Sequence, residues 1–277
     1  MNTTSYQSGC DIRRSAYTRL PNCLNEFLFG EYIEDWWMTQ QERMAIISLL
    51  DRIKPECAIE VGTLNGGSLS AIARFSRKVY SLDCDPGSKE KLAGKFTNVE
   101  FVVGYSNDTL PPLLEKLQNK KIPVEFVLID ASHTAEGVKS DIENLIKYIP
   151  QKPMYIVIHD SFMPECRQGM MQADWASSPY VHFVEIDFIP GRFNSDPTDD
   201  SYRTMTCGLA IAMMLPVKRE GELSFLVDGE LPFDILKKYS VHKKSVIRDT
   251  KSAIRKKLGR VRRKIKKHSE SAVRLRM

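Results

Sequence analysis

Five short apolar runs, each ending on a glycine or an acid, constrain this chain more than any other feature: CAIEVG (57–62), VYSLD (79–83), EFVVG (100–104), EFVLID (125–130) and YIVIHD (155–160). They are apolar nearly throughout instead of alternating with polar residues. That is the pattern of strands covered on both faces, as in a parallel sheet between helical layers. Segments of helical character separate them, at 68–75, 88–96, 109–118 and 136–148. The alternation predicts an α/β, doubly wound, mostly parallel sheet. Right-handed crossovers then bring all strand C-terminal ends to one rim, where ligands bind in such sheets. Gly62-Thr63, Asp83, Gly104, Asp130 and His159-Asp160 stand at those ends.

The flanks are read less sharply. Residues 39–53 predict a helix, with Thr39 as cap and Glu42 at the fourth position of a capping box; Met44, Ile47 and Leu50 fall on one face. Segments 180–189 and 204–215 predict a closing antiparallel pair, joined by the polar stretch PGRFNSDPTDDSYR as a loop over the site. Four parts result: an N-terminal helical cap (1–54), the core (55–217), a C-terminal extension (218–241) and a basic tail (242–277).

The net charge of +5 is unevenly placed. From His242 to Met277 there are 15 Lys and Arg against two acids, so the tail carries +13 and the rest of the chain −8. In the tail Ile247, Ile254, Leu258, Val261 and Ile265 recur at helical spacing, which predicts a basic amphipathic helix. It would stay solvated or lie on an anionic membrane surface. Nucleic acid comes third, because no aromatic residue follows Tyr239 to stack on bases.

No apolar run approaches the roughly 20 residues of a membrane span. The N-terminus lacks the apolar core of a secretory signal. Six cysteines are scattered without a C-x-x-C pair, which favours reduced thiols in the cytoplasm over a disulfide framework or zinc site. The expected location is cytoplasmic, peripheral to the inner membrane face if the tail binds lipid.

The chemistry gathers at the rim. AIEVGTLNGGSLSAIA (58–73) reads as strand, glycine turn and helix start, without the G-x-G-x-x-G of a dinucleotide site or the lysine of a P-loop. Asp83 ends the next strand, 23 residues after Glu60, where a carboxylate can accept both hydroxyls of a ribose; Asp85 is the alternative. FVLIDASH places His133 three residues after Asp130, and VIHD ends on His159-Asp160. Trp36-Trp37 reads as a packed aromatic pair more than a lid, Met170-Met171 and Met213-Met214 as core filling, and His182 as structural.

In this order and spacing, E-V-G-T-x-x-G-G-S, S-L-D-x-D-P, F-V-V-G-x-S, F-V-L-I-D-x-S-H and V-I-H-D-S-F resemble the class I S-adenosylmethionine-dependent methyltransferases. Within them the chain resembles the small-molecule and sugar O-methyltransferase branch that includes macrolide-sugar methyltransferases and cephalosporin-hydroxylase-like proteins. The resemblance covers about 57–162. It implies a Rossmann-like, seven-stranded sheet and S-adenosylmethionine as cofactor. Glu60, Gly62, Thr63 and Ser68 would surround its methionine moiety, Asp83 its ribose and Ser106 its adenine, with Asp130 beside it. Relatives often carry an acid after the glycine of the third strand; Tyr105 stands there in this sequence.

The metal-assisted members of the branch imply more. Asp130, His159 and Asp160 would hold a divalent ion, Mg²⁺ or Mn²⁺, and His133 with Asp130 would be catalytic, His133 as general base. His159 stands where some relatives have Glu, and imidazole suits a transition metal better than Mg²⁺. The expected reaction is O-methylation of a sugar or other small polar hydroxyl acceptor, by an enzyme able to form a homo-oligomer. Two other readings stay open: a nucleic-acid-directed protein gripping phosphate through its tail, and a non-catalytic membrane-associated relative.

Overall fold

The computed structural model describes residues 36–199 and 201–241. The expected N-terminal cap before Trp36 and the basic tail from His242 lie outside the described residues. Strands β1 (Cys57–Val61), β2 (Lys78–Asp83), β3 (Val99–Val103), β4 (Phe126–Ile129) and β5 (Met154–His159) fall on the five apolar runs and pair in parallel. Helices α1 (Gln40–Ile53), α2 (Gly67–Phe75), α3 (Pro86–Leu92), α4 (Ser106–Asn119), α5 (Ala135–Leu145), α6 (Pro164–Gln172) and α7 (Glu230–Tyr239) are the described α-helices.

The closing antiparallel pair is β6 (Val181–Ile189) with β9 (Leu209–Met214), and β9 joins it to β5. A further strand, β10 (Ser224–Leu226), runs parallel to β6 at the edge. The sheet therefore has eight strands, in the order β10-β6-β9-β5-β4-β1-β2-β3, where seven were expected. Three residues are too few to stand out as an apolar run. The segment expected to be a loop contributes a short strand, β7 (Arg192–Phe193), which pairs with β8 (Met205–Thr206) at the start of the next expected strand.

The continuous apolar runs are explained by two packed faces. Cys57, Ile59, Val61, Val127, Ile129, Ile156 and Ile158 share one cluster with Leu110, Leu114 and Leu117 of α4 and Val138 and Ile142 of α5. Ala58, Val79, Phe126, Leu128 and Val157 share the other with Ile46 and Leu50 of α1 and Leu69 and Ile72 of α2. Alternate residues of a strand point to opposite faces. Glu60, Ser81 and His159 are thereby sent to the same side as Val157, toward α1 and α2.

Helix α1 starts as expected. Thr39 accepts from the Glu42 N–H, and the Glu42 carboxylate accepts from the Thr39 N–H, so both arms of the capping box are present. Its buried stripe differs from the expected one. Glu42, Ile46 and Leu50 face the sheet, while Met44 is exposed. The stripe follows the i, i+4 row, and its first member is a carboxylate; that hid it from a search for apolar periodicity. Met171 is likewise exposed on α6, although Met170 and Met214 fill the core as expected.

Candidate active site

Beta-strands 1 and 4 are neighbours, and the chain winds outward from them in opposite directions. That is the topological switch point, where the loops after adjacent strands part and leave a crevice. A cavity of about 700 Å³ opens there, lined by Gly62, Thr63, Asp83, Ser106, Asp130 and Asp160 among others. Ser68, His133 and His159 also line it, so the structure brings every expected site residue but one to a single cavity. The exception, Glu60, lies fully buried behind it.

The β1 end is built for close approach. Gly62 has φ +96°, and a Cβ there would stand 2.1 Å from the Asp130 carbonyl oxygen. No other residue fits. The turn beyond it is fastened by Asp83. Its Oδ2 accepts from the N–H groups of Thr63 (3.0 Å) and Leu64 (2.9 Å) and from Ser88 Oγ (3.1 Å); its Oδ1 accepts from the Asp85 N–H (2.8 Å). Burial would raise the Asp83 pKa, but these donors outweigh it and hold the group below its usual range. Oδ1 is the oxygen with capacity left for a ribose hydroxyl. Asp85 is occupied as the cap of α3, accepting from the Gly87 N–H.

Glu60 accepts from Ser68 Oγ (2.7 Å) and Ser81 Oγ (2.9 Å). Burial pushes its pKa up to about 8, against those hydrogen bonds and aided by repulsion from Asp130 and Asp83. A carboxylic acid poised there becomes a carboxylate once a cation lies beside it. Ser106 opens α4 beside the exposed Tyr105.

Across the cavity four titratable side chains converge. His159 Nδ1 is 2.9 Å from Asp130 Oδ1 and 3.6 Å from Asp160 Oδ2; His133 Nε2 is 3.2 Å from Asp160 Oδ2. Asp160 holds this place in the left-handed region, at φ +58°, with Oδ1 accepting from the Cys207 N–H at 2.6 Å. Cys207 is itself left-handed at φ +64°. Two adjoining non-glycine residues in that region mark a site held by its surroundings. Burial alone would lower the His159 pKa; the charge of Asp130 and contacts with Asp130, Cys207 and Glu42 push it well above its usual value.

Among the described residues, the ion-pair partners of Asp130 and Asp160 are the imidazoles of His133 and His159. Asp130, His159 and Asp160 each offer a donor atom, all within 4.8 Å of one another. Two carboxylates and an imidazole at this spacing fit a divalent first-row ion better than Mg²⁺. His133, half exposed at 55% for its side chain, faces the cavity with the accessibility a proton acceptor needs.

Reading the sequence missed Glu42, whose Oε1 accepts from the Gly208 N–H at 2.5 Å and lies 3.3 Å from His159 Nε2. Its only sequence signal was the capping box, which accounts for one of its oxygens. Trp36 and Trp37 divide between the two roles weighed for them: both line the cavity, Trp36 buried and Trp37 exposed. His182 accepts the structural role, with Nε2 2.9 Å from the Val217 carbonyl.

Residues 59–161 match the model of a family described as a methyltransferase domain. Among solved structures, the O-methyltransferase TomG from Streptomyces achromogenes, involved in tomaymycin synthesis and crystallised with S-adenosylmethionine, is 14% identical, covers 75% of this chain and 96% of its own, and has a TM-score of 0.51. A cofactor-bound protein from MTB is 20% identical over 77% and 99% of the two chains, with a TM-score of 0.49. The O-methyltransferase from Bacillus cereus in complex with S-adenosylhomocysteine is 15% identical over 74% and 97%, also at 0.49. At these identities the likeness is one of fold. No curated protein sequence is significantly similar. Among the described residues no helix is long and apolar enough to cross a membrane. Residues 59–161 are thus similar to a methyltransferase domain, and the chain shares its fold with an O-methyltransferase crystallised with S-adenosylmethionine.

Proposed function

We propose that the chain moves the methyl group of S-adenosylmethionine to a hydroxyl of a sugar or other small polar molecule, with His133 as general base. The observation that carries this reading is the position of His133 Nε2: 3.2 Å from Asp160, on the wall of the cavity that Gly62 and Asp83 also line. A hydroxyl oxygen is a poor nucleophile at neutral pH. His133 takes its proton as the oxygen's electron pair forms the bond to the methyl carbon. The carbon–sulfur bond breaks, its pair stays on sulfur, and S-adenosylhomocysteine leaves. Asp160 orients His133 and stabilises the imidazolium it becomes. The rest is alignment of oxygen, carbon and sulfur.

Asp130, Asp160 and His159 would hold a divalent ion, Mn²⁺ being the better match to the donor set. When bound, it supplies positive charge that favours the deprotonated hydroxyl. Gly62, Thr63 and Ser68 would face the methionine moiety, with Glu60 holding Ser68, and Asp83 would face the ribose and Ser106 the adenine. The tail from His242 would bring the enzyme to an anionic membrane surface.

The test pairs calorimetric titration with S-adenosylhomocysteine, with and without Mg²⁺ or Mn²⁺, with turnover read as S-adenosylhomocysteine released over a panel of sugar and small-molecule alcohols. His133→Ala is expected to lower turnover by about 10²–10⁴-fold while keeping cofactor affinity. Asp83→Ala is expected to lose cofactor affinity, because the ribose acceptor goes and the Thr63 and Leu64 N–H groups lose theirs. Near-normal turnover in His133→Ala would remove the base assignment.

A further inference from the structure

We infer that Glu42 is a positioning residue of the catalytic rim: from the N-terminal helix it keeps a proton on His159 Nε2 and so turns Nδ1 of the same ring toward Asp130 and Asp160. The inference rests on the reading of Asp130, Asp160 and His159 as the cation-holding group, and extends it to an element outside the sheet.

The carboxylate is fully buried, on a helix that joins the core through Ile46 and Leu50 in the same stripe. An isolated carboxylate in that position is costly unless each oxygen has a partner. Oε2 accepts from the Thr39 N–H at 2.5 Å, closing the cap. Oε1 accepts from the Gly208 N–H at 2.5 Å, 166 residues away, and faces His159 Nε2 at 3.3 Å. One carboxyl group thus joins the helix cap, the Cys207–Gly208 turn and the rim imidazole. Gly208 stands at φ +87° between Cys207, whose N–H holds Asp160, and β9. Fixing the Gly208 N–H therefore also fixes the placement of Asp160.

His159 Nε2 is buried and has no well-aligned hydrogen bond in the described structure. Two groups can answer it. Glu42 Oε1 is at ion-pair distance, and Cys207 Sγ lies within 4.8 Å of both. The carboxylate is the stronger acceptor. A ring whose Nε2–H is directed at a carboxylate presents Nδ1 to whatever Asp130 and Asp160 gather. This is the arrangement by which an outer carboxylate orients a metal-binding histidine.

The test needs no acceptor. The chain has five histidines, so their ring nitrogens can be resolved in full-length protein labelled with ¹⁵N-histidine. In the S-adenosylhomocysteine complex, wild type is expected to show a slowly exchanging, downfield Nε2–H resonance for His159. Glu42→Gln, which keeps the shape and removes the charge, is expected to lose it; Cys207→Ser is expected to keep it. Affinity for Mn²⁺, added alone to the same complex, should fall about 10–100-fold in Glu42→Gln, with S-adenosylhomocysteine affinity changed less than about twofold. Persistence of the resonance in Glu42→Gln, its loss in Cys207→Ser, or unchanged Mn²⁺ affinity would overturn the inference. A wild-type chain that binds S-adenosylhomocysteine but no Mn²⁺ would remove both the cation reading and the role of Glu42 toward it. Failure of wild type to bind S-adenosylhomocysteine would instead defeat the cofactor assignment itself.

Discussion

Glu60 shows how one buried carboxyl group ties folding to the site. Its folded pKa of about 8 stands above the ordinary 4.5, with burial as the largest cause. Between those values the unfolded chain has released a proton that the folded chain keeps. Stability therefore falls as pH rises through this window, and the loss is complete once Glu60 is ionised in both states, above about pH 8. Glu60→Gln keeps both serine contacts and cannot ionise. In the cofactor-free protein its melting temperature relative to wild type is expected to rise from pH 4.5 to 8 and then level off, by several degrees in all. A difference that is flat with pH, measured by calorimetric melting, would show that Glu60 is already charged at neutrality. The sequence puts Glu60 near the end of a strand-sized run, one residue before a glycine turn, and the structure buries it fully, off the cavity lining. The sequence carried no sign that the group is protonated, since that follows from its burial and from Asp130 and Asp83 arriving across the rim.

At the scale of elements, strands were easier to read than helix faces. Four runs buried on both sides, with a partly buried fifth at the edge, leave little freedom: any other assignment exposes Ile59, Val127 or Ile156 to water. For α1 the capping box fixed the start but not the rotation. Met44 and Ile46 are two residues apart, on different sides of the helix, and only packing decides between them. Ile46 and Leu50 are fully buried, whereas Met44 is 48% exposed. Ile46→Ala is expected to cost about 2–5 kcal/mol, through lost burial and the cavity left behind. Met44→Ala should stay within about 0.5 kcal/mol. Denaturant unfolding of the two variants checks the rotation, and the reverse order would restore the stripe read from the sequence. β10 and the β7–β8 hairpin went unread for a different reason. Two or three residues carry no periodicity, and their pairing is decided by where β6 and β9 already lie.

At the scale of the molecule, a buried ion pair helps fasten α7 to the sheet. Arg167 on α6 meets Asp187 on β6 through both guanidinium arms, Nη1 to Oδ1 at 2.7 Å and Nη2 to Oδ2 at 3.0 Å. Asp187 Oδ2 also accepts from the N–H of Gly229, the residue that opens α7. Phe233 of α7 lies 4.5 Å from the guanidinium carbon, centroid to atom, and meets Phe162 edge to face at 5.5 Å and 83°. Phe162 follows the Asp160-Ser161 turn, so the same cluster that seats α7 braces the rim from behind. Burial raises the Asp187 pKa less than Arg167 and the Gly229 N–H lower it, leaving it below its usual range. A half-broken buried pair is worse than none, because the surviving charge stays desolvated. Arg167→Ala is therefore expected to destabilise by about 3–5 kcal/mol. Arg167→Met combined with Asp187→Leu removes both charges and should recover much of that loss. If denaturant unfolding shows the double variant no more stable than Arg167→Ala, the geometry of the fork, and not the cost of an unpaired charge, holds α7 against the body of the enzyme.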